Sequence, residues 1–114
     1  MVIKKINSSD LYTYRVMWSK EDEEFIGLCA EFPSLSWLAE SKEEAIKGIT
    51  ELVSNVMSDM ESNGEMTPVP LSMKRYSGNL SIRIPPEVHR KLAIQAAESN
   101  VSINRLISVK LSSD

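Results

Sequence analysis

Apolar and polar residues alternate one by one along residues 11–18, where Tyr12, Tyr14, Val16 and Trp18 interleave with Thr13, Arg15 and Met17. A period of two sends the two sets to opposite faces of a strand. Residues 19–24 then read as a polar, acidic turn and residues 25–31 as a second strand, so the two runs predict a β-hairpin. Pro33-Ser34 breaks the second run, and Ser36-Trp-Leu-Ala39 predicts a third strand. At Ser41 the period changes to that of a helix. Ser41-Lys-Glu-Glu44 is a capping box, in which the serine oxygen accepts from the third helical amide. Behind it Ala45, Ile46, Ile49, Leu52, Val53, Val56, Met57 and Met60 make one apolar stripe, wide enough to cover a three-stranded sheet. Asn63-Gly64 predicts the helix stop, and residues 65–73, with Pro68 and Pro70, predict a link containing a short edge strand.

Alternation returns at residues 79–84, where a strand would put Leu80, Ile82 and Ile84 on a core face and Asn79, Ser81 and Arg83 on the other. Pro85-Pro86 ends that strand and suits the first turn of a helix. Residues 87–99 are helical in pattern, with Val88, Leu92, Ala93, Ala96 and Ala97 at spacings of three and four and Asn100 as a left-handed stop. Ser102 caps a last helix that carries Ile103, Leu106, Ile107 and Leu111, with Asn104 and Arg105 in its first turn. The free amides of that turn favour an anion such as phosphate.

Strand, Pro, Glu-Val, helix, short turn, then Ser-Ile-Asn opening a second helix: this order resembles the ribbon-helix-helix repressors, whose paired strands enter the major groove. The resemblance implies base contacts by Asn79, Ser81 and Arg83 and phosphate contacts by Ser102 and Asn104; Lys74, in the basic part, is a further candidate phosphate contact. The first part is similar to the N-terminal domain of HicB antitoxins, through Tyr14 to Trp18, Glu24-Phe-Ile-Gly-Leu-Cys-Ala-Glu-Phe-Pro33, Ser41 and Glu43-Glu44-Ala45-Ile46. Two positions depart from that family's pattern: Ser34 stands after Pro33 where glycine is frequent, and Asn100 stands where many relatives have glycine.

Taken together, the resemblances imply an α+β chain. Residues 1–73 would form a β-β-β-α, degenerate RNase H-like domain that covers a small basic HicA-type toxin, an mRNA-cleaving ribonuclease. Residues 74–114 would form a ribbon-helix-helix domain that dimerises and represses its own operon at operator DNA. Association of the N-terminal domains would raise the dimer to a tetramer. The alternative is a ribbon-helix-helix repressor whose first domain senses a small ligand.

Charge sharpens the division. Residues 1–73 hold six Lys and Arg against thirteen Asp and Glu, and residues 74–114 hold seven against three. The acidic part suits a basic protein, and the basic part a phosphate backbone. Glu21, Asp22, Glu23, Glu24 and Glu31 are the candidate toxin contacts. Cys29 is the only cysteine, which excludes a disulfide framework or a cysteine-based metal site and leaves a small buried hydrophobe. Asp22, Glu24, Glu31 and Glu40 form no compact two-metal signature, and His89, the one histidine, has no nucleophile beside it. Neither an enzyme nor a bound cofactor is expected. The first seven residues lack the apolar core of a leader and no run approaches a membrane span, so a cytoplasmic protein is expected.

Overall fold

The computed structural model of the protein describes residues 8–113, so the opening heptad read above lies outside the described residues. Two units divide between Tyr76 and Ser77, which leaves Lys74 with the first of them.

In the first unit a 3-10 turn, Ser8–Leu11, precedes the strands β1 (Tyr14–Ser19), β2 (Glu24–Cys29) and β3 (Ser36–Ala39) and the helix α1 (Lys42–Ser62). This is the β-β-β-α order that the residue pattern predicts. Both strand pairs are antiparallel, in the order β1-β2-β3, with Met17 opposite Ile26 and Ile26 opposite Leu38. β1 begins later than the alternation does, because Leu11 belongs to the 3-10 turn and Tyr12 is drawn into the core. Ser41 caps α1 by accepting from the Glu44 amide at 3.2 Å. At the other end the Gly64 amide donates to Glu61 O and the Glu65 amide to Met60 O, with Gly64 at φ 73. That pair of bonds is a Schellman stop, and it needs a residue free to take a left-handed conformation.

α1 lies on one face of the sheet. Ile49, Val53 and Met57 pack with Tyr12, Cys29 and Phe32 into the core, and Tyr14, Leu35, Leu52, Val56 and Met60 surround them. Two glycines set how close the layers come. A Cβ on Gly27 of β2 would sit 2.6 Å from the Ala45 carbonyl oxygen, and a Cβ on Gly48 of α1 would overlap the Trp37 indole from β3. Glycine in a strand or a helix interior otherwise weakens both, so its presence here reflects a close approach of backbones and rings.

The link after α1 contains no edge strand; it ends in a 3-10 turn, Leu71–Met73. Pro68 and Pro70 cannot donate to a ladder, and the segment is tied down by side chains instead. The Tyr12 hydroxyl donates to Pro68 O at 2.7 Å, the Leu71 amide to Glu31 Oε2 at 2.9 Å, and the Ser72 hydroxyl to Leu11 O at 2.7 Å.

In the second unit α2 (Pro86–Glu98) and α3 (Ile103–Ser112) pack on each other. Pro86 takes the first helical position. Asn100 adopts φ 57, while the Asn100 and Val101 amides donate to Ala97 O and Ala96 O, a second Schellman stop. Ser102 caps α3 by accepting from the Arg105 amide at 3.0 Å.

One expectation fails here. Residues 79–84 form no strand, so the ribbon-helix-helix fold expected of residues 74–114 is corrected to a helical pair preceded by irregular chain. Alternation assigns faces, but a strand exists only through ladder hydrogen bonds. The sheet is complete as β1-β2-β3, and residues 79–84 join neither edge. Leu80, expected in a core, is 78% exposed.

Candidate partner-binding surface

Because Gly27 faces α1, strand alternation turns Ile26 and Leu28 to the opposite side of β2. The register sets Met17 of β1 and Leu38 of β3 on either side of Ile26, and Arg15 and Ser36 on either side of Leu28. No element of this unit among the described residues covers that face. Met17 is 46% and Leu38 42% exposed, while Ile26 and Leu28, in the central strand, are half-buried. A groove of about 400 Å³ opens at the far end of the face between Thr13, Arg15, Leu28, Ala30 and Pro33. This apolar face is absent from the charge-based candidates. Its signal is the unbroken apolar run Phe25-Ile-Gly-Leu-Cys29, where alternation stops, as in strands buried on both faces.

At the other end of the face stands the β1–β2 turn. Glu21, Asp22 and Glu23 are exposed and Glu24 is half-buried. By alternation Glu24 shares the face of Ile26, and Glu40 follows β3 directly. Asp22 is held inside the turn, accepting from the Ser19 hydroxyl at 2.8 Å, and Glu23 takes φ 54. No ion pair forms among the described residues, so the turn carboxylates have no cationic partner there.

Glu31, the fifth acidic candidate, is engaged internally. Its carboxylate accepts from the Thr13 amide at 2.9 Å, the Thr13 hydroxyl at 3.2 Å and the Leu71 amide at 2.9 Å. Burial raises its pKa, but the accepted bonds from the Leu71 and Thr13 amides, from its own amide and from the Thr13 hydroxyl together outweigh burial and hold it below the ordinary carboxylate value. Nearby, burial pushes the Cys29 thiol up, consistent with a hydrophobic packing role. Burial, followed by the charges of Cys29, Asp10 and Glu31, raises the Tyr14 phenol to about 12, and its hydroxyl donates to Ser9 O at 2.8 Å.

Lys74, Asn79, Ser81, Arg83, Ser102 and Asn104 are all exposed. Without a strand, Asn79, Ser81 and Arg83 do not share a ribbon face, and the base-reading arrangement expected for operator DNA is corrected with it. Asn79 and Asn104 do come together, lining a groove of about 560 Å³ with Leu80, Ile82, Ile107 and Leu111. The Ser102 hydroxyl is occupied as the cap of α3.

Among the described residues no group of three or more His, Cys, Asp or Glu is placed to hold a metal ion. Nor is any helix among them long and apolar enough to cross a membrane. No curated protein and no solved structure matches the chain. Residues 61–111 match the model of the HicB family, a stretch that begins at the end of α1 and includes α2 and most of α3.

Proposed function

We propose that the chain is a binding protein of the antitoxin type, not an enzyme, whose first unit covers a small basic toxin of the HicA type. The HicB family match over residues 61–111 carries the reading. Two further features support it: residues 1–73 carry thirteen acidic against six basic side chains, and no ion pair among the described residues neutralises the acidic turn. Opposite fields speed encounter and favour the right partner. The exposed Glu21 and Glu23 and the half-buried Glu24 are its proposed steering charges, with Asp22 tied to Ser19 in the same turn. Glu31 enters instead as the residue that fixes the link.

The test is co-expression with a HicA-type toxin. Restored growth and co-purification of the toxin are expected. A folded, abundant chain that leaves the toxin active and unbound would overturn the reading.

The second unit is proposed to pair two copies of the chain. Among its described residues Ala96 is the one buried hydrophobic side chain, while Leu80, Ile82, Val109 and Leu111 are exposed. A unit this small needs oligomerisation to bury enough apolar surface. Sedimentation of the full chain at micromolar concentration should show a dimer or a multiple of it, and a monomer would refute the pairing. The exposed Arg83 and Asn104 of this unit and, separately, Lys74 of the first unit are proposed only as phosphate contacts. Charge-driven binding of this kind weakens steeply with salt whatever the base sequence; retention of a mixed-sequence duplex at 50 mM salt and its loss at 300 mM, both round figures, would be the expected pattern.

A further inference from the structure

We propose that the uncovered face of the β1-β2-β3 sheet, centred on Met17, Ile26 and Leu38, is the seat on which the basic protein partner docks; the proposal rests on the antitoxin reading above. The acidic turn would then steer the partner, and the apolar row would hold it. Three observations converge on this face. β2 is apolar on both sides, and α1 covers only one of them. Met17 on β1 and Leu38 on β3 are exposed large hydrophobics that flank Ile26 of the central strand in register, so the three form a contiguous patch and not scattered surface residues. The patch is also polarised: Glu24 and the turn residues Glu21, Asp22 and Glu23 flank one end together with Glu40, while Arg15 lies at the other.

That polarity selects the occupant. A second copy of the chain would set five carboxylates against its own five in one orientation, and in the other against the single Arg15 at the far end, which leaves most of them unmatched. Like charges at an interface suppress the wrong partner. A basic protein with an apolar patch meets both halves of the face at once. The outward side of α1 offers no equivalent, because Glu44, Lys47, Glu51, Asn55 and Asp59 make it polar and mixed in charge.

The experiment uses the full chain and a catalytically inactive variant of a HicA-type toxin, with binding followed by titration calorimetry. Leu38→Arg should weaken the toxin ~100-fold, the loss typical of a central interface residue. Ser36→Arg, at an already polar and exposed position of the same face, should weaken it comparably without touching the sheet's packing. Glu51→Arg changes the charge twice as much as either but lies on α1, and it should leave binding within about threefold. Undiminished binding by both β3 variants, with wild type also binding, would overturn the docking face and leave the antitoxin reading intact. No binding by wild type would overturn that reading and this inference with it. A change in sedimentation of Leu38→Arg alone would make the face a self-interface and refute the proposal. If Leu38→Arg fails to fold, Ser36→Arg decides.

Discussion

Glycine at position 27 carries more of the architecture than any of its larger neighbours. Gly27→Ala drives a Cβ toward the Ala45 carbonyl oxygen, a backbone atom that cannot step aside, and should cost about 3 kcal/mol. Gly48→Ala meets a side chain instead. The Trp37 ring is partly exposed, so it has solvent to move into, and the gain of about 1 kcal/mol in helix propensity offsets part of the lost packing. Urea midpoints should therefore fall far more for Gly27→Ala; equal losses would show that the two contacts are not of different kinds. Glu31 makes a pH prediction. Its folded carboxyl titrates below the ordinary 4.5, so the clamp's contribution is complete above that value and is lost as pH falls through the depressed pKa. Glu31→Gln should cost about 1 kcal/mol at neutral pH, and its melting point should converge on wild type in acid. A gap that stays constant across the whole acid range, instead of closing as pH falls through the depressed pKa, would assign the loss to shape, not charge. None of this is visible in sequence, where Glu31 is one acidic residue among many. Its meaning comes from Leu71, forty positions away.

At the scale of elements, the legible parts are those whose signals are local. Ser36–Ala39 and the start of α1 fall where the Pro33-Ser34 break and the capping box put them, because both devices act within a few residues. The ends of α1 can be tested together. Ser41→Ala removes the acceptor for the Glu44 amide, and Gly64→Ala puts a Cβ at φ 73; each should cost about 1 kcal/mol. The sites lie at opposite ends of a 21-residue helix, so the double variant should lose the sum within about 0.5 kcal/mol. A larger shortfall would mean that the ends are coupled. Residues 79–84 show the converse. Their alternation is as regular as that of β1, but pairing is a non-local property, and in this chain nothing pairs with them. The proposed docking face is illegible in sequence for a related reason: an uncovered face is defined only once the covered one has been identified.

For the whole molecule, the uneven division of apolar burial has a practical consequence in optical spectroscopy. Both tryptophans, Trp18 and Trp37, are in the first unit; Trp18 lies edge-on to Phe25 with ring centroids 5.1 Å apart, and Trp37 rests on Gly48. The second unit has no tryptophan and is built from α2 and α3. Indole emission therefore reports one half of the chain, whereas circular dichroism at 222 nm, the usual helix wavelength, sums α1, α2 and α3. If the second unit holds together only by pairing, diluting the protein tenfold should move the dichroism transition to lower urea while the emission transition stays in place. Coincident curves at every dilution would instead mean that the two halves melt as a single cooperative block.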